Sequence, residues 1–342
     1  MPNNSTKMLF LSTLISGMLI SLCANSWMGA WMGLEINLLS FIPLLSSNKN
    51  MFSTEASLKY FLIQAIASST LLFLILLKTN IYEMFYLTKI SMWNDYIMMP
   101  LLMKIAATPF HWWLPSVVEG LSWMNCFIIL SIQKIAPLML ISYMLTNNNF
   151  IQIVIISSAL MGAFGGLNQI SFRKILSFSS INHIGWMLTT MILGSNLWLM
   201  YFTIYIINII SIMSLTATIN LSYISQSFNS MNHKKIVKFM LFITMLSLGG
   251  LPPLLGFFPK WITIQFMAQN LMIFTSTILI MSSLVTLYYY MRMMYTTLMI
   301  TNMEILWTIT IYPKYMHSKM MMFSLSILLF GMLICTLIMM MY

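Results

Sequence analysis

Trp27-Met-Gly-Ala-Trp-Met-Gly-Leu-Glu35-Ile-Asn-Leu-Leu-Ser-Phe-Ile-Pro-Leu-Leu45 is an apolar run with one ionisable residue near its middle. Its length matches what a helix needs to cross the hydrocarbon core of a bilayer. A carboxylate at that depth is costly unless it is protonated, paired or wetted. Lys104, Lys134 and Lys260 sit in similarly apolar surroundings further on. The run therefore predicts a membrane protein that keeps four expensive charges inside its own bundle. That pattern points to movement of charge or protons rather than to anchoring.

Composition agrees. Hydrophobic residues make up 60% of the chain and charged residues 6%, where a soluble domain carries about 25% charged. Too little polar sequence exists to cover a soluble core. The net charge of +10 does not indicate nucleic acid, because no polar domain presents a basic face and the basic residues fall in short loops, as topology signals do. Cys23, Cys126 and Cys335 form no CxxC pair and lie in apolar stretches, so zinc and iron–sulfur sites are unsupported and buried, inert thiols are expected. No GxGxxG or GxxxxGK[ST] run occurs, so no dinucleotide or nucleotide is expected on this chain. The first apolar run, about 8–24, is long for a signal sequence and leads straight into the Glu35 run. It reads as a retained first helix. The 38 methionines match the usage common in chains coded by AT-rich mitochondrial genomes.

Apolar runs separated by short polar breaks predict about eleven spans, near 8–25, 27–46, 57–77, 96–114, 121–145, 150–170, 174–194, 197–224, 239–268, 271–294 and 320–342. No alternation with period two is sustained, so the spans read as helices rather than barrel strands. The class is all-α, a polytopic membrane protein. Eleven spans put the termini on opposite sides. Lys7, Lys49, Arg173, Lys174, Lys234, Lys235, Lys238, Arg292, Lys314 and Lys319 then share the N-terminal side, against Lys78 and Lys89 on the other. That asymmetry places the N-terminus on the cytoplasmic or matrix face.

Two spans are interrupted. The fourth reads Met99-Pro-Leu-Leu-Met-Lys104-Ile-Ala-Ala-Thr-Pro109-Phe-His-Trp-Trp-Leu-Pro115, and the ninth reads Leu248-Gly-Gly-Leu-Pro-Pro-Leu-Leu-Gly-Phe-Phe-Pro259-Lys260-Trp261. Each proline removes a backbone donor. In lipid such breaks persist only where they face protein or a wet cavity. Broken spans at corresponding places suggest an inverted repeat with ion sites at the breaks. The expected organisation is one membrane domain over 1–342. It holds two inverted five-helix repeats, 1–146 and 147–295, each with a discontinuous fourth helix. A loop and last helix follow over 296–342.

Seven blocks, in order, carry a resemblance: Trp31-Met-Gly-Leu-Glu35-Ile-Asn, Thr54-Glu-Ala-Ser-Leu-Lys-Tyr-Phe61, Pro109-Phe-His-Trp112, Gln133-Lys-Ile-Ala-Pro137, Gly165-Gly-Leu-Asn-Gln169 with Arg173-Lys174, Ser179-Ser-Ile-Asn-His183-Ile-Gly-Trp186, and Leu248-Gly-Gly-Leu-Pro-Pro253 with Phe258-Pro-Lys260-Trp261. Nearly end to end, the chain resembles the NADH dehydrogenase subunit 2 family of mitochondrial respiratory complex I, in an arthropod form. That is one of the antiporter-like, proton-pumping subunit families. The family usually has Gly two residues after the lysine of the fourth span, where this chain has Ala106, which predicts a slightly stiffer break.

The resemblance implies a membrane-arm subunit in the mitochondrial inner membrane, N-terminus in the matrix and C-terminus in the intermembrane space. It implies that NADH oxidation by ubiquinone is coupled to proton translocation. FMN, the iron–sulfur clusters and ubiquinone are expected in other subunits and no cofactor on this chain. The expected partners are other membrane-arm subunits, including neighbouring antiporter-like ones, and lipids, but no nucleic acid. It also implies roles. Glu35 is the family's glutamate, Lys104 its partner lysine, Lys134 the connecting lysine and Lys260 the terminal lysine near the exit. His183 lies in the stretch facing that axis.

Blander readings stand beside these. Glu35 could be a structural carboxylate pinned by Asn37 or a nearby serine. Lys104 could snorkel, Lys260 could be a loop lysine, and His183 could be a satisfied structural residue. Pro137 frees the carbonyl of Gln133 beside Lys134, which favours water there. Lys59 lies four residues after Glu55, the spacing of a simple helical ion pair. The mechanism implied is one of pairing: a carboxylate close to a desolvated lysine holds its proton, and separation releases it toward the next lysine. Two rival classes remain, a stand-alone multi-subunit cation/proton antiporter and a purely structural membrane subunit.

Overall fold

In this computed structural model the residues described are 5–46, 50–84, 90–226 and 235–295, with 326, 328–333 and 336. Among them the chain is all-helical, apart from an isolated antiparallel bridge between Ser171 and Tyr223. It divides into two compact units, Met1–Val154 and Ile155–Tyr342.

The first unit contains α1 (Ser5–Cys23), α2 (Trp27–Leu45), α3 (Met51–Met84), α4 (Ile90–Ile105), α5 (Trp113–Glu119), α6 (Trp123–Leu130), α7 (Ile132–Ser142) and the start of α8 (Asn149–Gly166). Ser26 opens α2 in extended conformation and its hydroxyl accepts from the Gly29 amide, a side-chain N-cap. Helices gain nothing from the hydrophobic effect against one another in lipid, so close approach depends on small residues. Gly17 and Gly33 provide it between α1 and α2. A Cβ at Gly33 would fall 2.5 Å from the Ser21 amide nitrogen, and one at Gly17 2.9 Å from that of Asn37.

The second unit holds the rest of α8, then α9 (Phe172–Leu193), α10 (Ser195–Ile219), α11 (Lys235–Gly249), α12 (Phe257–Gln269) and α13 (Ile273–Tyr295). Buried Leu215, Met240, Ile243, Leu246 and Leu254 form one apolar cluster there. Buried Ile204, Leu255, Phe258, Ile262 and Leu328 form another.

Among the described residues, seven stretches are long and apolar enough to cross a membrane: Ser5–Cys23, Trp27–Leu45, Met51–Asn80, Trp123–Ser142, Asn149–Gly166, Ser195–Ile219 and Ile273–Tyr295. The chain is a multi-pass membrane protein. Both expected breaks are present. The fourth span stops at Ile105 and resumes at Trp113; the ninth stops at Gly249 and resumes at Phe257. Two features depart from expectation. The third span is longer than its apolar run, because Met51–Met84 is one helix of 34 residues. The fifth is divided at Ser131 (φ −119°, ψ −76°), between α6 and α7. No proline or glycine marks that point, so no breaker residue announced it. The expected last span, 320–342, and the basic residues Lys49, Lys234, Lys314 and Lys319 fall wholly or mostly outside the described residues.

Cys126 is buried, as expected, and its thiol donates to the Val118 carbonyl at 3.5 Å. Cys23 is exposed instead. It is the last residue of α1, where the helix offers little to cover it. Cys335 is not among the described residues.

Candidate functional site

Lys104 sits in the last turn of α4, where the negative end of the helix dipole favours a cation. The helix then ends through Ala106, whose φ of +66° is left-handed. The Ala107 amide turns back to the Leu102 carbonyl at 3.0 Å and the Ala106 amide to that of Met103 at 3.3 Å. Side chains also reach carbonyls at the break. Trp113 Nε1 donates to Met103 O at 3.1 Å and Gln64 Nε2 to Lys104 O at 3.3 Å. The break is thus a satisfied structure, which a bilayer interior demands of irregular backbone.

Lys134 lies in the first turn of α7, just past the irregular Ser131, and is 2% exposed. Lys104 is 8% exposed. Both line one cavity of about 20 Å³, together with Asn37, Tyr60, Gln64, Trp113 and Gln133. That volume has room for a water molecule, and the amides and ammonium groups supply its partners. Gln133 Nε2 donates to Asn37 Oδ1 at 2.9 Å, and Tyr60 meets Trp113 edge-on at 5.9 Å between centroids.

Glu35 is half-buried on α2 and is not a lining residue of that cavity. It makes no ion pair with Lys104: among the described residues the only ion pair within 4.0 Å is Lys59–Glu55, both largely exposed. That pair is the simple helical one its spacing predicted. Glu35 Oε2 is buried without a hydrogen-bond partner. Asn37, the residue offered as its structural pin, is engaged by Gln133 instead.

The second unit places Lys260 and His183. Lys260 is in the first turn of α12, 6% exposed, and so is not a loop lysine. Its Nζ donates to the Gly249 carbonyl at 3.1 Å and lies 5.9 Å from the Trp186 ring centroid. His183 is buried on α9, its Nδ1 2.9 Å from the Tyr201 hydroxyl and its ring 5.1 Å from that of Tyr205. The side-chain carbonyls of Asn182 and Asn208 are buried with no hydrogen-bond partner among the described residues. Such groups in a membrane interior mark places for water.

Sequence reasoning missed Gln64, Tyr60, Trp113 and the Asn37–Gln133 pair as parts of the first site. Gln64 carried a signal, since it is a lone amide within the apolar stretch Tyr60–Ala67. The aromatic residues carried none.

A family model described as NADH:quinone oxidoreductase/Mrp antiporter, transmembrane, matches residues 24–286. NADH-ubiquinone oxidoreductase chain 2 of Anopheles gambiae is 48% identical over 304 residues, covering 87% of this chain and 88% of that one. The protein of the same name from Locusta migratoria is 43% identical over 311 residues, 91% of each chain. A chain in a structure of respiratory complex I from Thermus thermophilus with bound aureothin has the same fold. Its TM-score is 0.83 at 20% identity, over 97% of this chain and 79% of that one.

Proposed function

We propose, on the premise that this chain belongs to the NADH:quinone oxidoreductase/Mrp antiporter transmembrane family, that it is the chain 2 membrane subunit of a mitochondrial NADH:ubiquinone oxidoreductase. Its task is to move protons across the inner membrane while other subunits transfer electrons from NADH to ubiquinone. End-to-end similarity to chain 2 proteins supports the first statement. The cavity shared by Lys104 and Lys134 carries the second.

Two ammonium groups on one small, buried cavity repel strongly, because little solvent screens them. The cavity therefore favours one mobile proton over two. Glu35 biases where it rests. Its charge favours the proton on Lys104, and loss of that influence favours passage to Lys134, with cavity water as the bridge. Lys260 and His183 carry the corresponding work in the second unit. FMN, iron–sulfur and quinone chemistry belong to other subunits, and neighbouring antiporter-like subunits are the partners.

The finer architecture is part of the same proposal. Eleven spans form two inverted five-helix repeats and a last helix. Each broken span has one left-handed residue at its break, Ala106 (φ +66°) in one and Gly250 (φ +78°) in the other. The N-terminus faces the matrix, as the basic residues indicate.

Lys104→Arg tests the reading. Guanidinium retains charge but does not release its proton at accessible pH. In complex assembled with this variant and studied in sealed vesicles, the proton-to-electron ratio falls. A ratio equal to wild type removes Lys104 from the path and the proposal with it.

A further inference from the structure

Lys260 is a buried cation with no acid among the described residues of its unit. Residues 155–303 contain no Asp or Glu, and among the described residues no ion pair reaches Lys260. A buried ammonium needs some source of negative potential to stay charged.

Two neutral groups stand where a carboxylate would be expected. Gly249 is the last residue of α11, and its carbonyl accepts from Lys260 Nζ at 3.1 Å. The final carbonyls of a helix have no intrahelical partner and carry the negative end of its dipole. The second group is Trp186, 1% exposed, whose ring centroid is 5.9 Å from Nζ, within reach of a cation–π attraction. A buried indole N–H ordinarily finds an acceptor, but Trp186 Nε1 has none among the described residues. The ring is thus not held there by its own polar handle.

Gly250 makes the arrangement possible. Its φ is +78°, and a Cβ there would lie 3.1 Å from Lys260 Cδ, 3.2 Å from Nζ and 3.3 Å from Cε. The end of the lysine occupies space that a side chain at 250 would crowd.

We infer that the face of Trp186 and the C-terminal carbonyl of α11 together act as the counter-charge of Lys260, with Trp186 as the positioning residue that holds the ammonium over the helix end. The inference rests on the proposal that Lys260 carries protons. Both groups are electrically neutral, so neither titrates, and the site offers the proton a fixed attraction. His183 is three residues before Trp186 on α9 and shares its face, so the same helix presents both to the second unit's proton path.

The test uses assembled complex in sealed vesicles, reading protons moved per electron. Trp186→Leu removes the π face, Trp186→Phe keeps one, and Lys260→Gln removes the cation. Loss of a cation–π contact slows proton passage through Lys260 by roughly 2- to 30-fold, and the ratio falls in Trp186→Leu. Trp186→Phe restores most of it. In a Lys260→Gln background, Trp186→Leu has no further effect. If Trp186→Leu does not assemble, Trp186→Met, flexible enough to fill the space, must give the same loss. The inference is overturned by a wild-type ratio in Leu or Met, by equal loss in Phe and Leu, or by added loss on top of Lys260→Gln. A wild-type ratio in Lys260→Gln itself would instead remove Lys260 from the proposed function.

Discussion

Gln133, one residue before Lys134, donates a 2.9 Å hydrogen bond to Asn37, two residues after Glu35. The bond ties the helix of one candidate charge to the helix of another, across the cavity that Lys104 shares. Asn37 is 3% exposed, so its loss strands a polar partner. Asn37→Leu is expected to destabilise by about 1–3 kcal/mol. Gln133→Leu added to it should cost less than the two single changes summed. Thermal unfolding of the assembled complex checks this, and strict additivity would mean the pair does not interact.

Ala106 sits in the left-handed region, at φ +66°. The resemblance predicts a slightly stiffer break with Ala than with Gly here; the structure adds that the position has a backbone only Gly adopts freely. Ala106→Gly is expected to assemble and keep its proton-to-electron ratio. Ala106→Val should lose at least roughly 1–2 kcal/mol, since Cβ crowding in this conformation grows with branching. A Val variant as stable as wild type would mean the break relaxes to a right-handed turn.

Gly250→Ala combines a left-handed backbone with a Cβ 3.2 Å from Lys260 Nζ. The lysine end must give by a few tenths of an ångström, which weakens its bond to the Gly249 carbonyl. The expected outcome is a lower proton-to-electron ratio in vesicles, with about 1–2 kcal/mol of backbone strain. The ratio should recover little when Lys260 is lengthened or recharged as Arg, because a guanidinium does not relay. An unchanged ratio in Gly250→Ala would show that the lysine end has room to spare.

Orientation is open to direct labelling. A cysteine placed at Lys174, in the basic segment Arg173-Lys174, should react with an impermeant thiol reagent from the matrix side alone. Reaction only from the intermembrane side would invert the proposed topology.

The sequence by itself determined that this chain lives in a membrane, that it is helical and that two of its spans break beside a lysine. Those conclusions come from local properties: apolar length, scarcity of charge, and prolines that remove backbone donors. It also picked out Lys104, Lys134, Lys260, His183 and Glu35, because an ionisable group in an apolar run is conspicuous without any knowledge of its neighbours. The tertiary structure decided what each of them meets. Lys104 and Lys134 share a cavity only because α4 and α7 pack together, and its amide lining comes from far away in sequence: Gln64 bonds the Lys104 carbonyl and Asn37 bonds Gln133. The irregular turn at Ser131 has no proline or glycine; its hydroxyl back-bonds to the Phe127 carbonyl at 2.6 Å, a contact that bends helices. Lys260 looks like any lysine beside a Gly-Pro loop until the fold sets its ammonium between a helix end and an indole face. A charge's environment is a property of what surrounds it in space, and in a helical membrane protein those neighbours come mostly from other helices.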